Sequence, residues 1–98
     1  MKKIAIIGLG NIGRHYMTGL SKLKKNNFFF FIDISNTNLK KAKNHWKFLR
    51  KNNDNCKFYN SLEHLPKRID LIIISSTAES RLKIIQKIKK KALLNFGY

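Results

Sequence analysis

The alternation of apolar and polar segments along the chain predicts strands and helices in turn. Continuous apolar runs indicate buried strands at residues 3–7, 28–32 and 71–74, and a shorter mixed run indicates another at 56–59. The segments between them carry apolar residues at helical spacing, separated by lysines. This alternation predicts an α/β fold, with a doubly wound parallel sheet in the strand order 3-2-1-4. An apolar run at residues 92–96 predicts a short fifth strand.

Three helices are predicted between and after these strands. The first begins near Asn11 and is stopped by Asn26-Asn27, and its apolar positions are Ile12, Tyr16, Leu20 and Leu23. The second is capped by Ser35 or Asn36, and the apolar residues of its buried face are Leu39, Ala42, Trp46 and Leu49. The third begins near Ala78, and its predicted buried residues are Leu82, Ile85 and Ile88. A single helical turn is predicted at residues 61–65, ended by Pro66.

A glycine-spaced turn joins the first strand to the first helix and carries the clearest chemical signal. It reads Gly8-Leu9-Gly10-Asn11-Ile12-Gly13. Gly8 permits a tight strand-to-helix turn, Gly10 lets a pyrophosphate approach the backbone, and Gly13 lets the helix pack closely on the strand. The helix N-terminus adds unpaired N–H groups and a partial positive charge. We therefore predict that Gly8, Gly10, Asn11, Ile12 and Gly13 bind a dinucleotide cofactor.

An acid at the end of the second strand completes the pattern. Asp33 lies twenty residues beyond Gly13, where a carboxylate can accept hydrogen bonds from the adenosine ribose hydroxyls. No arginine follows until Arg50, and a carboxylate at position 33 repels a 2′-phosphate. NAD is therefore predicted over NADP, with Lys40 and Lys41 as the residues that could reverse that preference. An S-adenosylmethionine-binding domain, which uses a looser glycine turn and a similar acid, is the alternative interpretation of the motif.

Hydroxyl residues end the fourth strand beside the glycine turn. Ser75, Ser76 and Thr77 follow its apolar run at the carboxyl edge of the predicted sheet, where open parallel sheets bind ligands. We predict that all three contact the cofactor. For Thr77 the alternative is that it only caps the following helix. Arg14 points either toward a phosphate or into solvent.

Composition narrows the classes of protein and of site. The chain has 98 residues, predicting one domain over 1–98, and its net charge is +16. Its lysines are spread over several elements, which predicts a solvated basic surface and no specific nucleic-acid face.

Cys56 is the single cysteine, which suits a reducing cytoplasm, and no segment predicts a signal peptide or a membrane span. The histidines show no metal-ligand spacing, and neither a carboxylate pair nor a nucleophilic triad is evident.

The motifs together resemble the N-terminal domain of the glucose–fructose oxidoreductase and inositol dehydrogenase (Gfo/Idh/MocA) family. The resemblance rests on residues 4–13, on Asp33 and on residues 70–77. In the family the fourth strand leads into a small-Thr-Pro-Asn stretch followed by a histidine; here the last four of those positions are held by Ser76, Thr77, Ala78 and Arg81. The resemblance implies a Rossmann-like NAD(P)-binding domain and hydride transfer at a sugar- or cyclitol-like alcohol or ketone.

The same resemblance implies a catalytic half that these residues lack. Family members carry a catalytic lysine in a Glu-Lys-Pro motif after the fifth strand and a C-terminal substrate domain, whereas this chain reads LLNFGY at 93–98. We therefore expect a truncated product, a fragment or a stand-alone module, inactive alone and completed by a catalytic domain or a homo-oligomer partner. Two other functions stay open: a non-enzymatic NAD-binding module for redox sensing or docking, and a basic nucleic-acid-binding protein.

Overall fold

A parallel four-stranded sheet organises the protein. In the computed structural model, which describes residues 2–23, 26–50 and 55–95, the strands are β1 (Lys2–Ile7), β2 (Asn27–Ile32), β3 (Cys56–Tyr59) and β4 (Leu71–Ile74). The helices are α1 (Asn11–Leu20), α2 (Asn36–Leu49) and α3 (Ala78–Asn95), with a 3-10 turn at Leu62–His64. The strand order is β3-β2-β1-β4 and every pairing is parallel, which confirms the predicted α/β fold and topology. None of the described helices is long and apolar enough to cross a membrane.

One face of the sheet is covered by α1 and α2. Trp46 of α2 is 1% exposed and packs its indole against the rings of Phe29 and Phe31 at centroid separations of 5.0 and 4.9 Å. The predicted α2 face is confirmed, because Leu39 and Ala42 are buried in the same cluster. Aromatic residues bury large apolar areas, so this cluster is the main source of hydrophobic stabilisation on that face.

The opposite face packs against α3 and the loop before β4. Alternation along β1 and β2 sends Ala5, Ile7, Phe30 and Ile32 to this side, where Leu65 also lies. The apolar residues of α3 and of the loop that pack against them are Ile69, Ile84 and Ile88. Helices on both faces bury both sides of the central strands. This burial explains why the sequences of β1 and β2 contain continuous apolar runs.

The predicted orientation of α1 needs correction. Ile12 is 65% exposed and Tyr16 is 47% exposed, whereas Gly13 and Met17 are buried against the sheet. The close contact of Gly13 with the Gly8 carbonyl, in the turn that follows β1, brings this side of α1 inward, and Met17 follows one turn later on that side. The helix also ends at Leu20, before the predicted asparagines, and Asn27 is the first residue of β2.

The C-terminal segment departs from the sequence prediction as well. Residues 92–95 continue α3, so the predicted fifth strand is wrong over them, and Phe96 lies outside the described residues. Alanine and leucine have high helix propensity, and neither glycine nor proline separates them from the preceding helix. Within α3, Leu82 is 60% exposed and Ile84 packs on the sheet instead, while Ile88 is placed as predicted.

Trp46→Ala should destabilise the protein strongly. Truncating a fully buried aromatic residue costs about 3 to 5 kcal/mol in the free energy of unfolding, because it removes apolar contacts and leaves a cavity. Phe48→Ala is the matched control on the same helix, since Phe48 is 84% exposed and its loss should cost at most about 0.5 kcal/mol. Urea unfolding followed by circular dichroism compares the two variants. Similar losses would contradict this account of the core.

Candidate functional site

The turn after β1 is built around a glycine that no other residue can replace without strain. Gly8 has φ of +98°, and a Cβ at this position would overlap the backbone carbonyl of Ser75 at the end of β4. The Gly8 N–H donates to the carbonyl of Ile32 at 2.8 Å, at the end of β2. The turn is therefore fixed between the carboxyl ends of the two strands that flank β1.

The two other glycines of the motif have opposite surroundings. A Cβ on Gly13 would overlap the carbonyl oxygen of Gly8, so α1 can approach the turn after β1 this closely only with glycine there. A Cβ on Gly10 would meet nothing within 4 Å. The backbone at Gly10 therefore borders open space, which a pyrophosphate group could enter. Asn11 and Ile12, the first residues of α1, are both exposed at the same place.

Asp33 is bonded to the glycine turn and to the start of α2. Its Oδ2 accepts hydrogen bonds from the Leu9 N–H at 2.8 Å and from the Asn38 amide at 3.1 Å, and its Oδ1 accepts one from the Ser35 N–H at 2.8 Å. A carboxylate has about four acceptor positions, and these bonds use three of them. The remaining capacity and the half-buried position leave room for a hydroxyl donor.

Arg14 holds the same turn from another side. Its Nη1 donates to the Leu9 carbonyl at 3.0 Å and its Nη2 donates to Oδ1 of Asn11 at 2.7 Å. The N–H of Leu9 is bonded to Asp33 and its carbonyl to Arg14, so both polar groups of this residue are held by side chains. The sequence left two alternatives for Arg14, contact with a phosphate or exposure to solvent. In the structure its side chain is half-buried and bonded to the glycine turn.

The hydroxyl residues after β4 lie next to the glycine turn. Ser75 is half-buried, its N–H donates to the Ile7 carbonyl at 2.8 Å, and its Oγ is 3.6 Å from where a Cβ on Gly13 would lie. The Ser76 hydroxyl contacts the Thr77 carbonyl at a long 3.4 Å. Thr77 caps α3, because its Oγ1 accepts from the Ser80 N–H at 3.2 Å.

The predicted site residues meet at the carboxyl edge of three adjacent strands. The glycine turn follows β1, Asp33 follows β2, and residues 75–77 follow β4. The chain proceeds from β1 to β2 and β3 on one side of the sheet and places β4 on the other, so the turn lies at the topological switch point. Open parallel sheets bind ligands in this crevice. Within the described ranges no group of three His, Cys, Asp or Glu residues could hold a metal ion.

Sequence reasoning missed Asn38 as a partner of Asp33. Ser35 caps α2 by accepting from the Asn38 N–H at 3.2 Å, while the Asn38 side chain reaches back to the carboxylate. A polar residue three positions after a serine cap commonly reaches back over the helix N-terminus. The Ser-x-x-Asn spacing at 35–38 was therefore the signal available in the sequence.

Comparison with known proteins identifies one family. A family model described as "Oxidoreductase family, NAD-binding Rossmann fold" (Gfo/Idh/MocA) matches residues 2–93. No curated protein and no solved structure matches the chain significantly. The matched range includes the whole glycine turn, Asp33 and the hydroxyl segment after β4.

Replacing two glycines of α1 by alanine should shift stability in opposite directions. Gly19→Ala adds a methyl group in open space and should stabilise the helix by about 0.5 kcal/mol, because glycine loses more backbone entropy on folding. Gly13→Ala offers the same helix propensity but drives a methyl into the Gly8 carbonyl, so it should destabilise the protein. Urea unfolding of the two variants measures both shifts. Stabilisation by Gly13→Ala would show that the contact between α1 and the turn after β1 is looser than described.

Proposed function

Because the chain belongs to the Gfo/Idh/MocA oxidoreductase family, with an NAD-binding Rossmann fold over residues 2–93, we propose that it binds NAD as the cofactor half of a hydride-transfer system. The observation that carries the proposal is the Asp33 carboxylate, bonded to the Leu9 N–H of the glycine turn at 2.8 Å and half-exposed beside it. One acidic group thus joins the turn expected to bind the pyrophosphate to the position expected for the ribose.

Each group of site residues is assigned one part of the cofactor. The pyrophosphate lies against Gly10 and the N-terminus of α1, where Asn11 and Ile12 present the first backbone N–H groups. Asp33 accepts hydrogen bonds from the adenosine ribose. The hydroxyls of residues 75–77 face the second ribose and the nicotinamide half, with Ser76 as the best placed, because the Thr77 hydroxyl already caps α3.

The preference for NAD over NADP follows from the charge of Asp33. A 2′-phosphate would lie beside an ionised carboxylate, and the like charges would repel each other. The neighbouring residues at the start of α2, Ser35 and Asn38, donate their hydrogen bonds to that carboxylate and offer no positive charge. Lys40 and Lys41 are exposed on α2 and are the side chains that could oppose this preference.

The substrate class rests on the family. Hydride transfer at a sugar- or cyclitol-like alcohol or ketone needs a proton donor and acceptor beside the nicotinamide, which the resemblance assigns to a lysine and to a second domain. We assign no catalytic residue within residues 1–98 and regard them as one cofactor domain that turns over no substrate alone. A catalytic domain, or a partner in a homo-oligomer, would supply the rest, in the cytoplasm that the single cysteine suits.

A non-enzymatic NAD-binding module is the second candidate. The observation that favours it is the exposed apolar flank of α1, formed by Ile12 and Tyr16, which a partner could cover when cofactor is bound. A defined oligomer that retains cofactor affinity would distinguish this function from that of an enzyme domain. The net charge of +16 also favours weak, salt-sensitive contact with nucleic acid, although no recognition motif accompanies it.

Asp33→Asn should weaken NAD binding by about tenfold or more, because a hydrogen bond to a charged group contributes about 1.5 to 3 kcal/mol. The variant should also narrow the difference between NAD and NADP, since it removes the charge facing the 2′-phosphate. Isothermal titration calorimetry with both cofactors at physiological salt measures these constants.

Asp70→Asn is the matched control for that measurement. Asp70 also accepts a backbone N–H, from Lys3 at 2.7 Å, but it lies at the amino-terminal edge of the sheet, away from the glycine turn. Its loss should leave NAD affinity within about twofold. Equal losses in both variants, or NAD binding indifferent to Asp33, would contradict the proposed site. Substrate-dependent formation of NADH by the chain alone would contradict the proposed inactivity.

A further inference from the structure

A cleft between α1 and α2 gathers side-chain hydrogen-bond donors; the proposed dinucleotide site uses only the backbone of one of its residues, Asn11. Its volume is about 310 Å³, and it is lined by Asn11, Arg14, His15, Thr18 and His45. That volume is roughly ten times the share of one water molecule in the liquid, so the cleft admits a small polyatomic ion with its waters. None of the lining residues is acidic.

Arg14 is the charged group of the cleft, and bonds to the glycine turn and to Asn11 hold it in place. Its two bonds, to the Leu9 carbonyl and to Oδ1 of Asn11, use two of the five guanidinium N–H donors. A guanidinium fixed in this way retains three donors without the entropy cost of ordering a free side chain. The bond to Asn11 also fixes the orientation of that amide, since its oxygen accepts from Arg14 and its NH₂ group is left as a donor.

The two histidines complete the lining. His15 is exposed and makes no hydrogen bond with the described residues, so its ring N–H is available. His45 reaches across from α2, and its Nε2 lies 2.8 Å from Oγ1 of Thr18 and 3.2 Å from the carbonyl of Arg14. These contacts tie α2 to α1 at the cleft and fix its width.

We propose that this cleft binds a phosphate group, with Arg14 as its charged contact and Asn11 and His15 as further donors. Three donor groups around one cleft can each bond a different oxygen of a phosphate, and arginine binds phosphate oxygens through charge-assisted hydrogen bonds. The phosphate has two possible sources: a separate phosphorylated molecule or inorganic phosphate, and the 2′-phosphate of NADP. The first source is independent of the proposed function. The second source requires the proposed dinucleotide site and runs against its proposed preference for NAD.

Inorganic phosphate is the probe that tests the cleft itself. At constant ionic strength, with acetate as the planar comparison anion, phosphate should shift the NMR resonances of His15, His45 and the Arg14 side chain and leave His64 unchanged. Arg14→Gln should lower the phosphate affinity by about tenfold, because it removes the charge-assisted hydrogen bonds. Arg68→Gln removes the same charge from an exposed position in the loop before β4 and should change the affinity by less than about twofold.

A second variant covers the case in which Arg14→Gln disturbs the glycine turn. His15 has no bond to lose, so His15→Ala should keep the unfolding curve of the wild type while weakening phosphate binding severalfold. Equal effects of Arg14→Gln and Arg68→Gln, resonance shifts spread over the whole basic surface, or equal shifts with acetate would overturn the proposal.

Cofactor competition identifies the source of the phosphate. Displacement of bound phosphate by NADP and not by NAD, with NADP binding weakened by Arg14→Gln, would support the cleft as the 2′-phosphate subsite. Simultaneous binding of phosphate and either cofactor would support a separate phosphorylated ligand. If neither cofactor binds, the proposed function fails. The titration with inorganic phosphate would still test whether the cleft binds phosphate.

Discussion

The close contact between α1 and the turn after β1 is the constraint on which the rest of the site depends. At Gly13 the helix backbone comes so close to the Gly8 carbonyl that a single methyl group would overlap it. This contact sets the side of α1 that faces the sheet and buries Met17 there. It also brings the N-terminus of the helix to the carboxyl edge, next to Asp33 and to the hydroxyls after β4. Close packing and ligand geometry here are consequences of the same two glycines.

Side chains organise the site by bonding the turn at both polar groups of Leu9. Asp33 accepts the Leu9 N–H, Arg14 donates to the Leu9 carbonyl, and Asn38 and Ser35 hold the carboxylate from α2. A turn fixed in this way loses little conformational entropy when a dinucleotide binds.

The sequence predicted much of this arrangement because its signals were local. Continuous apolar runs marked the strands, and the glycine spacing with Asp33 marked the switch point, so the strand order and the meeting of residues 8–13, 33 and 75–77 could be expected. The buried faces of α1 and α3 could not be predicted from the sequence, since Ile12 and Leu82 fit the helical spacing of apolar residues and yet are exposed. Their exposure depends on how closely each helix packs on the sheet, which is a tertiary property. The bonds of Arg14 and Asn38 depend on side-chain geometry for the same reason.

The double engagement of Asp33 ties the proposed ribose contact to the stability of the glycine turn. Its carboxylate anchors the Leu9 N–H and the start of α2, so a side chain with no acceptor oxygen at this position leaves both donors without their partner. Unpaired backbone groups in a half-buried turn cost stability, typically about 1 to 3 kcal/mol each. Redesign of the site is therefore constrained: a variant should keep an acceptor oxygen at position 33 and change the charge only around it.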